Sequence, residues 1–437
     1  MKLLVRITIL LALLSLSLPI AAAQNAPFTI AAAADHQPAI NALYSAIYDG
    51  AAPAYVDDNA DVLAEAAPES ALEGITSGAA YYLPDAVLRL QNDNAEASAF
   101  VDFAVSPDGQ KALIDAGFLP ESVTITDQAG NEVTLPQPVR RVISPYSLST
   151  YLVYGVGAAD RLSAGGFLGA REPIGMARME AIDPRFPVLS GYVMNQREIN
   201  VEEIAMLMPD VIFTASRSSW LDTVAELGIP AILFEGETPE RMKESMLISG
   251  QVFGPHASAT AQAWVEYYDS IFNTVTAATS SLTDEERPSV LMLGSEPLRV
   301  ASGEMYQTEI IAAAGGASVT TELTGFWNDV NLEQIVLWDP DVIVIVPYGA
   351  VTPESILTSP EWQVVSAVQN GRVYKMPAWV APWDSPVPDS ALGVIWLAQT
   401  LFEDGVDLDC TAEAIKFYDV FYNYAIPEDE IAAVCES

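Results

Sequence analysis

The fifteen residues I-N-V-E-E-I-A-M-L-M-P-D-V-I-F (Ile199 to Phe213) align without a gap against V-N-L-E-Q-I-V-L-W-D-P-D-V-I-V (Val330 to Val344), 131 positions further on. Identities fall at Asn200/Asn331, Glu202/Glu333, Ile204/Ile335, Pro209/Pro340, Asp210/Asp341, Val211/Val342 and Ile212/Ile343. In each copy an Asn stands in N-cap position, a short helical stretch follows, and Pro-Asp turns the chain into an apolar β run. A helix delivering a buried strand, written twice, implies two equivalent α/β lobes. The competing reading is chance recurrence of helix-Pro-Asp-strand, which any α/β protein offers.

The flanking segments fit two lobes. From Arg141 onward, short β runs alternate with helical stretches: R-V-I-S-P, a helix at Leu148 to Val156, then strands at Asp210 to Ala215 and Ala231 to Gly236. Pro255 to Leu282 reads as one helix, since Trp264, Tyr267, Tyr268, Ile271 and Val275 recur near helical spacing. It would span about 40 Å, enough to run along both lobes. Strands at Pro288 to Gly294, Arg299 to Gly303, Asp341 to Pro347 and Gly371 to Pro377, with helices at Tyr306 to Ala314 and Asp389 to Phe402, make up the second lobe. The expected class is α/β: two α/β lobes joined by a single long helix, behind a small N-terminal α/β block. The expected divisions are a leader over 1–23, the block over 24–120, a first lobe over 121–254, the linking helix over 255–282 and a second lobe over 283–437.

Lys2 and Arg6 precede an apolar run from Ile9 to Leu14, and Ala21 to Ala23 supply a small-residue cleavage site before Gln24, the pattern of a secretory leader. No later window holds the roughly 20 charge-free apolar residues of a membrane helix. A mature chain outside the cytoplasm, periplasmic or extracellular, is expected, with no membrane span. The chain carries 19 Lys and Arg against 58 Asp and Glu, a formal charge of −39. Such a polyanion repels phosphate backbones, so nucleic acid is excluded as a partner. Two cysteines and two histidines, His36 and His256, cannot build a multi-Cys/His zinc cluster. Asp57, Asn59 and Asp61 mimic the start of a calcium loop, but Val62 and Pro68 occupy the positions that need Gly and Glu. No resident metal or cofactor is expected. No P-loop, H-E-x-x-H or G-x-S-x-G motif occurs, which weighs against an enzyme. His256, at the start of the long helix, is expected to be solvated.

Two lobes on one long helix, each carrying N-x-E-x-I…P-D-V-I, resemble the periplasmic binding proteins of ABC importers for iron-siderophores, haem and cobalamin. The resemblance runs from about Val123 to the C-terminus. It takes in Gly303 with Tyr306, A-G-G at Ala314 to Gly316, S-P-E-W-Q-V-V-S-A-V-Q-N-G-R-V-Y at Ser359 to Tyr374, and W-D-S-P-V-P-D at Trp383 to Asp389. The first block resembles a different family at its two ends only. Its opening strand and the run from Ala95 to Pro120 are similar to the start and the closing segment of molybdate-type binding proteins, with the long middle section missing.

The resemblance implies a non-catalytic solute-binding protein that delivers a metal chelate to an ABC importer permease. Molybdate or tungstate is the alternative ligand, and an extracellular enzyme or adhesion module the alternative class. The ligand would lie between the lobes on loops at the C-terminal ends of strands: Ser144 to Ser147, Thr214 to Trp220, Gly303 to Tyr306, Gly325 to Trp327, Pro347 to Tyr348 and Trp379 to Asp384. The candidate ligand-binding residues are Tyr146, Ser147, Arg217, Trp220, Gly303, Tyr306, Trp327 and Trp383, though each aromatic could equally be core or rim. Arg161, Arg171, Arg178, Arg185, Arg197 and Arg217 crowd one first-lobe stretch. They suit an anionic chelate or a bare oxyanion, or else pair with neighbouring glutamates. Glu202 and Glu333 hold the positions at which the family docks on permease arginines; the alternative is that both merely stabilise their helix starts. Cys410 and Cys435 flank a terminal helix, and a disulfide is expected in an oxidising compartment, against two unpaired buried thiols.

Overall fold

The computed structural model describes residues 26–168, 173–192, 194–195, 197–402 and 406–436. The expected leader over 1–23 and Arg171 lie outside the described residues.

The first block is built on a five-stranded sheet. Thr29–Ala32 runs parallel to Ala54–Tyr55 and to Val62–Ala66, and Val62–Ala66 continues antiparallel through Ala86–Leu90 to Ala80–Leu83. Apolar residues of the sheet and of helices Gln37–Ile47 and Ala95–Val105 close a core of their own around Ile30, Leu43, Tyr44, Leu88 and Phe100. The opening strand is short, Thr29–Ala32. Asp61 binds the backbone N–H (2.7 Å) and hydroxyl (2.9 Å) of Thr29, and a turn then leads into Gln37–Ile47 with Pro38 in its first turn. Those bonds, the Thr29 N–H first, draw the Asp61 carboxyl down to about 2. Asp61, at the start of the calcium-like sequence, is a strand brace.

A hairpin, Ser122–Thr126 with Glu132–Pro136, leads into the two-lobed unit. Asp127 at its turn accepts from Ala129 N, Asn131 N and Leu233 N, which pins the hairpin to the first lobe. The first-lobe sheet is all parallel, in the order Ala231–Phe234, Val211–Ala215, Val142–Ser144, Leu162–Gly165. The second-lobe sheet has a parallel centre, Ser289–Leu293 beside Val342–Ile345 and then Val373–Lys375, and an antiparallel edge of Arg299–Val300 and Asn328–Asp329.

The repeated phrase folds the same way twice. Asn200 caps Val201–Leu207 by accepting from Glu203 N, and Asn331 caps Leu332–Trp338 by accepting from Gln334 N. Each helix stops at a non-glycine residue in the left-handed region, Met208 (φ 46°) and Asp339 (φ 42°), itself related by the repeat. Pro-Asp then does equal work in both lobes. Asp210 accepts from Arg140 N and Arg141 N, and Asp341 from Ser289 N and its hydroxyl, so each carboxylate braces the entry of the neighbouring strand.

The linking helix is Pro255–Thr279, three residues shorter than expected. It follows Pro239–Phe253 across Gly254, whose φ of +99° and contact with the Gln110 side chain leave no room for a Cβ. Trp264, Tyr267, Tyr268, Ile271 and Val275 all point into the core shared by the lobes. The other face of this helix carries the first block. Glu266 accepts from Ser70 Oγ (2.7 Å), Ala71 N (3.2 Å) and Leu72 N (3.0 Å), capping helix Ala71–Thr76 from outside, and these bonds hold its carboxyl low against burial. His256 is not solvated: it is half-buried at the seam, its Nδ1 accepts from Tyr81 N (3.3 Å), and burial followed by the Arg161 charge draws it down to about 4.

Candidate functional site

All four parallel strands of the first lobe end toward the second lobe. The loops that follow bring Pro145 to Leu148, Leu168, Arg217 and Glu237 to one cavity of about 600 Å³. The second lobe closes it with Met305, Gln307, Phe326, Trp327, Tyr348, Ser385 and Pro386. This is the crevice outside the carboxyl ends of strands where open α/β sheets hold ligands.

Arg217 is the centre of the polar chemistry. Its guanidinium lies 5.3 Å from the ring centroid of Tyr146 and 5.1 Å from that of Phe326, so it is held between an aromatic of each lobe. Its NH2 group also donates to Tyr146 Oη at 3.1 Å. Burial pushes the Tyr146 phenol up to about 12, against the pull of Arg217, so the ring is neutral. Glu237 reaches the same cavity. Burial raises its carboxyl, while Arg217 and the Tyr306 backbone N–H, which donates to it, work the other way. Arg217 with Phe326 and Glu237 with Tyr306 thus tie the lobes across the cleft.

Behind the second-lobe wall, Asp384 Oδ2 accepts from Gln307 Nε2 (2.9 Å) and from the Tyr348 hydroxyl (3.1 Å). Burial without a cationic partner pushes this carboxyl up to about 6. Its bonds fix the orientation of two cavity-lining side chains, Gln307 and Tyr348.

Of the eight candidate residues, Tyr146, Ser147, Arg217 and Trp327 line the cavity; the other four do not. Trp220 packs on the outer face of the first sheet with Ile143, Ile204 and Val224, and its indole N–H donates to Asn195 O (2.8 Å), so it props the loop that carries Arg197 to the cavity. The Tyr306 side chain is fully buried against the linking helix, its hydroxyl bonded to those of Tyr268 (2.6 Å) and Ser390 (2.7 Å). Trp383 is likewise fully buried in the central core. At Gly303 a Cβ would meet the Thr321 carbonyl oxygen at 2.1 Å, so this glycine serves a close backbone approach. Among the described arginines of the cluster, Arg197 and Arg217 face the cavity. Arg161 is buried against the Phe253 and Val139 carbonyls, Arg178 stacks on Trp379, and Arg185 pairs with Asp183. Glu237 and Gln307 lie outside the expected loops, and Met305 lies inside the loop Gly303 to Tyr306 without having been chosen. Phe326, Tyr348 and Asp384 lay inside the expected loops without being chosen.

Glu202 and Glu333 are exposed on their helices, on the outside of each lobe. Cys410 and Cys435 are joined as a disulfide that ties helix Cys410–Tyr422 to Glu428–Cys435. No cluster of three or more potential metal ligands, and no helix long and apolar enough to cross a membrane, occurs among the described residues.

Residues 191–379, which include both copies of the repeat, match the family model described as periplasmic binding protein. The two-lobed unit is similar to periplasmic solute-binding proteins. A periplasmic solute-binding protein from Veillonella parvula superposes with a TM-score of 0.62 at 26% identity, covering 72% of this chain and 96% of that one. The molybdate-binding protein MolA of Haemophilus influenzae is 23% identical over 333 residues, 70% of this chain and 93% of that protein. A vitamin B12-binding protein of Yersinia pestis is 29% identical over 217 residues, 49% of this chain and 72% of that protein.

Proposed function

We propose that the chain is the extracytoplasmic receptor of an ABC importer and that it carries an anionic metal chelate of the iron-siderophore type. The observation that carries this reading is the lining of the cavity: Arg217 and Arg197 set among Tyr146, Phe326, Trp327 and Tyr348. Arginine pairs with oxyanions and stacks on flat rings, and aromatic walls suit a ligand with an organic periphery. Size points the same way. A bare tetrahedral oxyanion displaces roughly two water volumes, on the order of 60 Å³, against a cavity of about 600 Å³. The receptor is secreted, works outside the cytoplasm, holds no resident cofactor, and docks on a permease through Glu202 and Glu333. Their exposure at equivalent places in the two lobes supports that docking.

Molybdate or tungstate is the second reading, favoured by the similarity to MolA over 93% of that protein's length. Ligand-dependent melting separates the two, because a ligand that binds only the native state raises the transition temperature. A ferric catecholate chelate at hundredfold excess over its dissociation constant should stabilise the protein by about 2.7 kcal/mol and quench Trp327. Stabilisation by molybdate alone overturns the chelate reading. No response to ferric chelate, vitamin B12, haem or molybdate overturns the receptor reading.

A further inference from the structure

Met206 and Leu337 are the two most exposed of the large apolar side chains among the described residues, at 81% and 78%. They are also equivalent, 131 positions apart in the repeat that pairs Glu202 with Glu333. Each lies four residues after its glutamate, on the same helix face, and a helical side chain leans toward the N-terminus, so each apolar side chain stands beside its carboxylate. The left-handed residues Met208 and Asp339 end both helices within two positions, so each apolar group tops a short projecting helix. Chance exposure of a single apolar residue needs no explanation. Exposure of the same position in both lobes, beside the same exposed acid, asks for a partner that meets both lobes in the same way.

We infer that Met206 and Leu337 are paired apolar anchors that seat the receptor on two equivalent permease subunits, each offering a pocket for the apolar side chain and a basic residue for the adjoining glutamate. The inference rests on the docking role of Glu202 and Glu333 proposed above and deepens it. A second copy of this chain is the poorer occupant, because it would bring acidic helices together in a molecule of net charge −39. In the assigned arrangement the glutamates steer approach and the apolar groups hold the complex once water is excluded around them.

The experiment uses the full secreted chain, loaded with ferric catecholate, and the permease–ATPase complex of its own host in lipid nanodiscs, with bare nanodiscs of the same lipid as control. M206S and L337S should each weaken binding about tenfold, and together roughly a hundredfold, by faster dissociation, because burying one such side chain is worth about one decade or more. Their salt dependence should match that of the parent. E202Q/E333Q should instead slow association and flatten the salt dependence. The swap M206L/L337M should bind like the parent. If the Gln pair weakens binding and the Ser pair does not, the anchors are refuted while docking stands; if neither does, docking fails too. Loss confined to one lobe overturns the paired arrangement. Equal binding to bare nanodiscs assigns the groups to lipid instead, and concentration-dependent sedimentation abolished by the Ser pair assigns them to a second copy; either result overturns the permease assignment.

Discussion

Helices Val201–Leu207 and Leu332–Trp338 match down to the Asn cap, the left-handed stop and the Pro-Asp brace, whereas the loops that the same lobes turn toward the cavity share almost nothing. The first lobe brings Tyr146, Arg197, Arg217 and Glu237; the second brings Met305, Gln307, Phe326, Trp327 and Tyr348. One ligand held between two lobes has no reason to be two-fold, so its walls are free to differ. The outer helices answer equal demands and are alike. Buried carboxylates also differ, by the partners that each one has. Burial alone would raise the first-lobe Asp183, but hydrogen bonds and charge from Arg185 hold it low. Asp384 and Asp389 have only neutral donors around them, and burial pushes both up to about 6.

The largest expected effect tests that division of carboxylates. Asp384 titrates near 3.9 when unfolded and at about 6 when folded. Between these values the native state holds a proton that the unfolded state has released, so the stability tied to Asp384 is present below pH 4 and lost as pH rises to 6. A shift of about two units corresponds to about 3 kcal/mol. Asp384→Asn keeps an acceptor for both Gln307 and Tyr348, since both donors meet one oxygen. Urea unfolding from pH 4 to 7.5 should show this variant with a flatter profile and higher stability at pH 7. Asp183→Asn should do the reverse: its stabilisation is present above pH 4 and lost on acidification, and the variant should be weaker at pH 7. A profile in which both substitutions act in the same direction would erase the contrast between the two carboxylates.

A smaller effect tests the cavity walls. Arg217→Ala removes the charged hydrogen bond to Tyr146 and both ring contacts. It should weaken ferric catecholate binding by about 2 kcal/mol, roughly thirtyfold. Phe326→Ala leaves the charge in place and should cost about 1 kcal/mol. Titration by tryptophan fluorescence measures both. Equal losses would mean that the two walls act alike after all.

Much of this architecture is legible in the chain because it rests on short-range chemistry. An Asn cap and a Pro-Asp turn need only neighbouring residues, so the repeat betrays both lobes. The strand-end loops were legible too, but the residues within them were chosen by type. An aromatic at a strand end satisfies the same local pattern whether it turns into the cleft, as Trp327 does, or into the core beneath, as Tyr306 and Trp383 do. Only long-range packing decides between them. His256 misled for the same reason, since its partner, the Tyr81 amide, comes from a block 175 residues away in sequence. Glu237 and Gln307 carry no pattern at all; their place is set by lobe closure.

The smallest expected effect bears on the likeness itself. Asn200 and Asn331 each accept one backbone N–H, from Glu203 at 3.3 Å and from Gln334 at 2.8 Å. Replacing a capping Asn by Ala costs about 1 kcal/mol, and by Gly only a few tenths. Asn200→Ala and Asn331→Ala should therefore lower thermal stability by similar small amounts, with the Gly variants nearer the parent. The double variant should show the sum, because the caps lie in different lobes and share no partner. Scanning calorimetry of the four single variants and the double Ala variant gives the comparison. If Asn331→Ala costs several times more than Asn200→Ala, the shorter bond at Asn331 reflects a tighter local dependence. The outer helices would then be alike in geometry but not in the energy that holds them.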